Sequence, residues 1–297
     1  MTSHKNIVQE VIPAKLREME DRENIRVIHC VESGSRAWGF ASPDSDYDVR
    51  FIYVRPLEQY LRLDKTRDVI EWQLDETLDI NGWDLQKALR LLHGSNPTLF
   101  EWNNSPIVYK TTPEWAEISA EIGRFFQKKA GLYHYLSTAK KNYREYLKGD
   151  TVRLKKYFYV LRPLLACRWI LEKQTPPPMR FSELADAFLD KSLVPAVSDL
   201  LRLKMETPEL DVGPRIDAIN DYLDASIEEL DRAIQSLPGD ETPTWNKLND
   251  LFLRTVTPAR QHDRAAESAS LDTIISDARQ KTPEPEQTNP KPPRKEV

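Results

Sequence analysis

The chain has 297 residues, of which 40% are hydrophobic and 30% charged, and no apolar run approaches the roughly 20 residues that cross a bilayer. This composition argues against a membrane protein and predicts a cytoplasmic one, more readily with two domains than with one. The formal net charge of −5 argues against a protein that coats nucleic acid by charge alone, although it is compatible with a local basic groove.

The first elements in the chain are predicted to be a helix and a strand. Apolar residues recur at helical spacing between about 6 and 20, and the segment IRVIHC at 25–30 is typical of a strand. The stretch VESGSRAWGFASPDSDYD follows, and its Gly, Ser, Pro and Asp content predicts a turn with a short helix begun at Ser35. A second strand is predicted over residues 46–54.

Two more strands and a helix complete the predicted first domain. VIEWQLD and TLDING have the residue types of strands paired across a polar turn. Asp84 is the predicted N-cap of the next helix, because LQKALRLLHGS behind it has one apolar face and ends at Gly94. The pattern predicts a domain of mixed strands and helices over residues 1–111.

The rest of the chain is predicted to be helical and then unstructured. Residues 112–237 have a helical pattern almost throughout, broken by TPPPMR at 175–180, because proline clashes in a helix interior. Residues 238–297 lose apolar density, apart from WNKLNDLFLR, and finish in TPEPEQTNPKPPRKEV. We therefore expect an all-helical second domain and a C-terminal extension that is largely a disordered tail.

Cysteine and histidine usage limits the kind of metal site. Cys30 and Cys167 lie far apart in apolar surroundings, which predicts reduced core residues and no disulfide framework. The five histidines have no paired spacing, so the usual zinc sites have no support. A metal site in this chain is expected to use oxygen ligands.

The predicted second strand carries paired acids. Because side chains alternate along a strand, Asp46, Asp48 and Arg50 share one face, opposite an apolar face that suits the core. Two acids about 6 to 7 Å apart along a strand repel each other unless hard divalent cations neutralise them. We therefore predict two Mg²⁺ ions, with Mn²⁺ as the alternative, that stabilise the attacking and leaving oxygens of an in-line displacement.

The Gly34-Ser35 turn precedes these acids and leads into the predicted short helix. Glycine lets the backbone approach a phosphate closely, and Ser35 adds a hydroxyl donor. The turn and the acids together predict a site for a nucleoside triphosphate whose phosphates bridge to the metal ions.

These motifs carry a family resemblance. GSRAWGFASPDSDYDVRF resembles the GS-x(about 10)-DxD motif of the DNA polymerase β nucleotidyltransferase superfamily. SDYDVRFIYV, DINGWDLQKALRLL and NPTLFEWNNSPIVY resemble the YcgL-type predicted nucleotidyltransferases, grouped with polymerase-β-like proteins of RNA repair pathways. The resemblance covers about residues 25 to 170. It implies an α+β fold, with a polymerase-β-like domain of small mixed sheet and helices followed by an all-helical domain.

The resemblance also implies functional residues. Gly34 and Ser35 would bind the triphosphate, and Asp46 and Asp48 would bind metal. A third carboxylate would lie on a later strand within an apolar-Asp-apolar triplet, bind the catalytic metal and help to activate the acceptor hydroxyl. Leu78-Asp79-Ile80 lies on a predicted strand, whereas Trp83-Asp84-Leu85 lies at a predicted helix N-cap. We therefore predict Asp79, against the alternatives that it is a solvent-facing acid or that Asp84 has the role.

Basic and aromatic residues are candidates for contacts with the nucleotide. Arg36 and Arg50 are predicted phosphate ligands, although an Arg50 that merely braces a carboxylate would look the same in sequence. Lys155, Tyr159 and Arg162 fall at i, i+4 and i+7, which suits phosphate binding and base stacking. The competing interpretation of this stripe is a solvated helix face.

The sequence thus predicts an enzyme that transfers a nucleoside monophosphate from an NTP, such as ATP, to a hydroxyl and releases pyrophosphate. An RNA 3′ end, a protein side chain and a small molecule all fit as acceptor, and the resemblance favours RNA. The competing hypothesis is a non-catalytic nucleotide- or RNA-binding regulator on the same fold. The presence of both Asp46 and Asp48 counts against it.

Overall fold

One mixed sheet organises the N-terminal half of the computed structural model, which describes residues 6–73, 77–206 and 212–257. Its strands are β1 (Arg26–Glu32), β2 (Tyr47–Val54), β3 (Val69–Gln73), β4 (Leu78–Asp84) and β5 (Val108–Thr111). They lie in the order β3-β4-β2-β1-β5. β2 and β4 run parallel, whereas β1 is antiparallel to β2 and β5, and β3 is antiparallel to β4.

The helices around this sheet are α1 (Ile12–Glu23), α2 (Gly34–Trp38), α3 (Leu57–Tyr60), α4 (Leu85–His93), α5 (Pro97–Asn103) and α6 (Pro113–Ile122). A π-helical turn, Ile7–Val11, precedes α1. The remaining helices are α7 (Lys128–Tyr146), α8 (Phe158–Lys173), α9 (Phe181–Phe188), α10 (Val194–Glu206), α11 (Asp217–Gln235) and α12 (Asn246–Val256). These elements confirm the α+β class.

Several predicted boundaries shift by a few residues. The first strand continues past 30 to Glu32, and the second begins at Tyr47, one residue after Asp46. The predicted pair of strands is confirmed as β3 and β4, while residues 74–76 of the turn between them lie outside the described residues. β5 was not predicted, because four residues at a sheet edge carry too little periodicity to stand out.

Apolar side chains cover both faces of the sheet. Val27, Cys30 and Phe51 pack with α1 on one face. Ile28 and Ile52 pack on the other face with α4, α5, α6 and α12. Because side chains alternate along β2, Asp48 and Arg50 lie on the face opposite Val49 and Phe51, which is the second face of the sheet.

The helix α12 contains all but the first residue, Trp245, of the WNKLNDLFLR segment, which lies in the predicted C-terminal extension. Its Leu248 and Leu251 are buried in the same core as Leu85 and Trp115 of the sheet region. The apolar periodicity of this segment therefore serves packing against the sheet region. The predicted tail beyond it, from residue 258, lies outside the described residues.

A second core is built mainly from α7 to α11. The TPPPMR break is confirmed, since α8 ends at Lys173 and α9 begins at Phe181. The predicted all-helical region also contains a short ladder of β6 (Thr151–Arg153) and β7 (Val212–Pro214). The division into domains at 111 and 237 remains a prediction, because residues up to Val256 cluster as one compact unit.

The two cysteines are buried and unpaired, as predicted, with Cys30 in the sheet core and Cys167 in the helical core. Burial is the main reason that the pKa of each thiol is raised, which makes both poor nucleophiles. Within the described ranges, no helix combines the length and the apolar character needed to cross a membrane.

Candidate active site

Two neighbouring strands bring a pair of carboxylates side by side. Asp79 lies on β4 between the buried residues Leu78 and Ile80, so its side chain points to the face opposite theirs. The parallel register of β2 and β4 pairs Asp48 with Asp79. Arg50 bridges them, since its Nη2 lies 2.9 Å from Asp48 Oδ1 and 2.7 Å from Asp79 Oδ2.

The Gly34 turn packs directly on the Asp48 carboxylate. Gly34 has φ 58°, a left-handed conformation that favours glycine. A Cβ added there would lie 2.8 Å from Asp48 Cγ and closer still to Oδ2. The Ser33 amide also donates to the Asp48 carbonyl at 2.8 Å. The spacing of the two motifs therefore reflects physical contact, and no other residue type fits at position 34 without displacing the acid.

Asp46 is exposed just before β2, and Arg36 of α2 fixes its backbone. Arg36 Nε donates to the Asp46 carbonyl at 3.0 Å, and Nη2 donates to the Ser45 carbonyl. The guanidinium carbon lies 3.9 Å from the centre of the Tyr47 ring. Arg36 thus stabilises the loop that presents Asp46, and its role as a phosphate ligand remains a prediction.

The three acids influence one another electrostatically. Burial, followed by the charges of Asp44 and Asp79, raises the pKa of Asp46. Burial also raises the pKa of Asp48, partly opposed by Arg50 and reinforced by Asp79 and Asp46. Like charges that disfavour each other's ionised form create a site that attracts a cation.

Oxygen donors of this kind suit Mg²⁺ or Mn²⁺ better than zinc. Within the described part of the chain, no three His, Cys, Asp or Glu side chains converge closely enough to hold a metal ion by themselves. Mg²⁺ is commonly bound by one or two carboxylates, with water and substrate phosphates completing its shell.

Two residues predicted to contact the nucleotide border these acids from the helical region. Tyr159 of α8 is half-buried, and burial followed by the charges of Asp48 and Asp46 raises the pKa of its hydroxyl. The Tyr159 ring lies edge-on to Trp38, with ring centres 5.3 Å apart. Among the smaller influences on the pKa of Asp46 is Lys155, whose positive charge lowers it. The structure therefore brings Lys155 and Tyr159 to the site.

Arg162 does not share an exposed face with Lys155 and Tyr159, so this part of the stripe prediction is wrong. Arg162 is buried, and its Nη1 lies 2.8 Å from Glu101 Oε1. Tyr135 donates to the same Glu101 oxygen at 2.8 Å. The ion pair compensates the buried guanidinium, and it turns Arg162 towards α5 and away from solvent.

Asp84 has a structural position, as its predicted N-cap role requires. Its Oδ1 accepts from the Gln86 amide at 2.8 Å, and its Oδ2 accepts from the Tyr60 hydroxyl at 2.9 Å. Asp84 is buried at the head of α4. Both of its oxygens are therefore engaged at the helix start, whereas Asp79 lies beside Asp48.

Glu32 was missed by the sequence analysis, because the predicted first strand ended two residues before it. It is buried at the end of β1, where Oε1 accepts from the Asp48 amide at 2.7 Å and Oε2 accepts from the Tyr109 hydroxyl. Burial raises its pKa to about 7. Glu32 therefore fixes the backbone of Asp48 from behind the site.

Lys204 is a second residue that sequence reasoning missed. This buried lysine of α10 donates from Nζ to Ser42 Oγ at 3.2 Å. Ser42 Oγ lies 2.8 Å from Ser45 Oγ, one residue before Asp46. The contact ties α10 to the loop that presents Asp46. It spans 162 residues, so local patterns carry no signal for it.

The raised pKa of Glu32 predicts a pH-dependent loss of stability in metal-free protein. An acid with a folded pKa of about 7 and an unfolded value near 4.3 contributes a burial penalty that grows between these pH values. We expect Glu32→Gln to remove that penalty. The free energy of unfolding of the variant minus that of the wild type should therefore increase by as much as roughly 3 kcal/mol between pH 4.5 and 7. Urea unfolding at several pH values with chelator checks this, and a constant difference would contradict the assignment.

Comparison with known proteins shows what the chain as a whole is similar to. The sequence model described as "RNA repair pathway DNA polymerase beta family" (RlaP) matches residues 8–254. The uncharacterized protein YcgL of Bacillus subtilis (strain 168) is 43% identical over 244 residues, which cover 82% of this chain and 94% of that protein.

Similarity to a solved structure is weaker. A nucleotidyltransferase-like protein from Exiguobacterium sibiricum 255-15 is 14% identical, with 76% of this chain and 75% of that chain covered and a TM-score of 0.28. A score this low supports no residue-level transfer between the two proteins.

Proposed function

Because the chain belongs to the RNA repair pathway DNA polymerase beta family, we propose that it is a metal-dependent nucleotidyltransferase. It transfers a nucleoside monophosphate from an NTP to a hydroxyl acceptor and releases pyrophosphate. The observation that supports this most is the contact between the Gly34 turn and Asp48, which lies in parallel register with Asp79. A phosphate-binding turn and metal-binding acids then adjoin one another.

The proposed metal ligands are Asp46, Asp48 and Asp79. Bound Mg²⁺ or Mn²⁺ would supply charge neutralisation for the α-phosphate and for the leaving pyrophosphate. The acceptor oxygen bonds to the α-phosphorus as the bond from phosphorus to the pyrophosphate oxygen breaks. The proton of the acceptor hydroxyl passes to the Asp79 carboxylate, which acts as general base. Arg50 orients both Asp48 and Asp79 through its ion pairs.

The proposed triphosphate ligands surround the same acids. The Gly34 backbone and the Ser35 hydroxyl hold phosphate at the turn. Arg36 and Lys155 add positive charge near Asp46, as their effects on its pKa indicate. Tyr159 offers a ring against which a base can stack at the edge of the site.

The proposed acceptor is the 3′ hydroxyl of an RNA, which the description of the family favours. Transfer of an α-labelled NTP tests this choice when the same reaction is run with an RNA oligonucleotide, with a protein mixture and without acceptor. Label that moves to RNA alone supports the assignment. Label that moves only to protein would replace it with protein modification.

One observation favours a second candidate function. Arg50 engages Asp48 Oδ1 and Asp79 Oδ2, and a guanidinium in this position neutralises the acids without metal. A non-catalytic nucleotide- or RNA-binding regulator would show the same contact. The two candidates differ in turnover, since a regulator binds NTP or RNA and releases no pyrophosphate.

We expect divalent metal to raise the melting temperature mainly when NTP is present, because the acids leave Mg²⁺ weakly held until phosphates complete its shell. At a ligand concentration about 100 times its Kd, binding raises the free energy of unfolding by about 2.7 kcal/mol. Thermal shift with metal, NTP or both measures it. Asp46→Asn changes an exposed side chain, so it should keep the fold and lose most of the gain. An equal gain in this variant would remove Asp46 from the ligands.

A further inference from the structure

A cluster of cations and tyrosines extends from the acids along the helical region. It consists of Arg153, Lys155 and Lys156 with Tyr146 and Tyr159, and we refer to it as the basic-aromatic ladder. Arg153 ends β6, the two lysines lie on the 3₁₀ turn Leu154–Tyr157, and the tyrosines lie on α7 and α8. Four separate elements therefore contribute to one surface.

The members of the ladder alternate in space. Lys156 Nζ lies 4.5 Å from the centre of the Tyr159 ring and 4.5 Å from the centre of the Tyr146 ring. Arg153 Cζ lies 5.5 Å from the centre of the Tyr146 ring. The order is thus Tyr159, Lys156, Tyr146 and Arg153, with a cation beside each ring.

Positive charge in the ladder is poorly compensated. Among the residues that the structure describes, Arg153, Lys155 and Lys156 form no ion pair with an acid. Burial lowers the pKa of Lys156, the charges of Lys155 and Arg153 lower it further, and Glu145 opposes them. Crowded cations without paired acids do little for folding, and they attract an anionic partner.

One end of the ladder is at the candidate active site. The Tyr159 ring lies edge-on to Trp38, with ring centres 5.3 Å apart, and Trp38 ends the helix α2 that begins at Gly34. The charge of Lys155 is also among the smaller influences on the pKa of Asp46. The other end consists of Tyr146 and Arg153 and is separated from Tyr159 by Lys156. A single nucleotide at the acids would occupy Tyr159, so the outer members are available to a longer ligand.

We propose that the basic-aromatic ladder binds single-stranded nucleic acid and directs its 3′ end towards Asp46 and Asp48. This inference rests on the proposed function, because it supplies the acceptor strand for that site. Backbone phosphates suit the cations, and unpaired bases suit the tyrosine rings. A duplex fits poorly, since its bases are already stacked on each other. An acidic peptide would use the cations and leave the rings without a role.

The test is direct strand binding, measured by fluorescence anisotropy with labelled RNA and DNA 12-mers, in chelator, so that no transfer occurs. The charge variant is Arg153→Ala with Lys156→Ala. Its control is Arg124→Ala with Lys173→Ala, which removes one exposed Arg and one exposed Lys that form ion pairs elsewhere. Loss of two phosphate contacts should reduce the slope of log K against log salt by about 1.4, whereas the control should keep the wild-type slope.

The aromatic member is tested separately at Tyr146. Tyr146→Leu should weaken binding about tenfold, because it removes the stacking surface while keeping an apolar side chain. Tyr146→Phe keeps the ring and should bind like the wild type. Preference for RNA over DNA of the same sequence would assign the strand type, and equal binding would assign single strands in general.

Three outcomes would overturn the proposal: unchanged strand binding in the charge variant, equal weakening in its control, or equal affinity for an acidic peptide of matched charge. These outcomes are separable from the fate of the proposed function. Pyrophosphate release with intact strand binding in the charge variant would keep the transferase and remove the ladder. Ladder-dependent strand binding without pyrophosphate release would keep the ladder and support the regulator.

Discussion

Replacing Asp79 by asparagine is expected to abolish nucleotidyl transfer while the fold and much of the NTP binding remain. The ion pair between Arg50 Nη2 and Asp79 Oδ2, now 2.7 Å long, can be replaced by a neutral hydrogen bond, because the asparagine side chain keeps an oxygen acceptor. The variant loses a charged metal ligand and the group that takes the acceptor proton. Loss of a general base alone lowers turnover by about 10² to 10⁴-fold. Pyrophosphate release measures turnover, and thermal unfolding checks the fold.

Asp84→Asn is the matched control for this experiment. It makes the same chemical change in the neighbouring triplet, where Asp84 caps α4 by accepting from the Gln86 amide. Asparagine caps a helix about as well as aspartate. The side-chain NH₂ of the asparagine can donate a hydrogen bond to the Tyr60 hydroxyl. We expect turnover close to the wild type. If Asp84→Asn lost transfer and Asp79→Asn kept it, the third carboxylate would be Asp84.

Replacing Gly34 by alanine or valine is expected to have the second large effect, a loss of turnover of more than about hundredfold. Any Cβ there lies within 2.8 Å of Asp48 Cγ, so Asp48 must leave its position. The conformation at φ 58° adds roughly 1 kcal/mol of strain for a residue with a Cβ. Ser35→Ala should lower NTP use by about tenfold at most, because it removes one hydrogen bond among several.

Gly39→Ala separates strain from displacement of the acid. Gly39 also has a positive φ, 88°, at the C-terminal end of α2, and nothing lies within 4 Å of an added Cβ. This variant therefore carries a comparable strain with Asp48 undisturbed. It should lose stability and keep turnover. If Gly34→Ala and Gly39→Ala had the same turnover, contact between the turn and Asp48 would be irrelevant to catalysis.

The parts of the site that follow from local patterns were predictable. The two-residue alternation on β2 placed Asp48 and Arg50 opposite the core, and Leu78 and Ile80 placed Asp79 in the same way. The side-by-side pairing of Asp48 and Asp79 needed more, because β2 and β4 are not consecutive in the chain. Their parallel register depends on the whole sheet.

The missed residues share a physical reason. Lys204 reaches Ser42 across the fold, and Glu32 fixes the Asp48 amide from a neighbouring strand. Such contacts follow from tertiary packing, which the periodicity and spacing of residues in the sequence do not reveal. Arg162 illustrates the same limit, since its spacing from Lys155 suited one helix face while Glu101 drew it into the interior.

Arg50 affects how Asp48 and Asp79 can bind a metal ion, because it forms ion pairs with both. With Arg50 in place, Asp48 and Asp79 are neutralised in part by a guanidinium, and a divalent ion must compete with or share those oxygens. We expect Arg50→Lys to bind metal and NTP and to transfer slowly, since lysine lacks the planar fork that orients two carboxylates at once. Metal binding that strengthens greatly in this variant would assign Arg50 an inhibitory role.

The most direct measurement of the central claim is pyrophosphate release from each of the four NTPs with Mg²⁺ or Mn²⁺ and an RNA acceptor, for the wild type beside Asp48→Asn. We predict metal-dependent release by the wild type with at least one NTP, and none above background by a folded Asp48→Asn variant. Equal release by both proteins, or no release by the wild type under any of these conditions while NTP still binds, would contradict the assignment of these acids to catalysis.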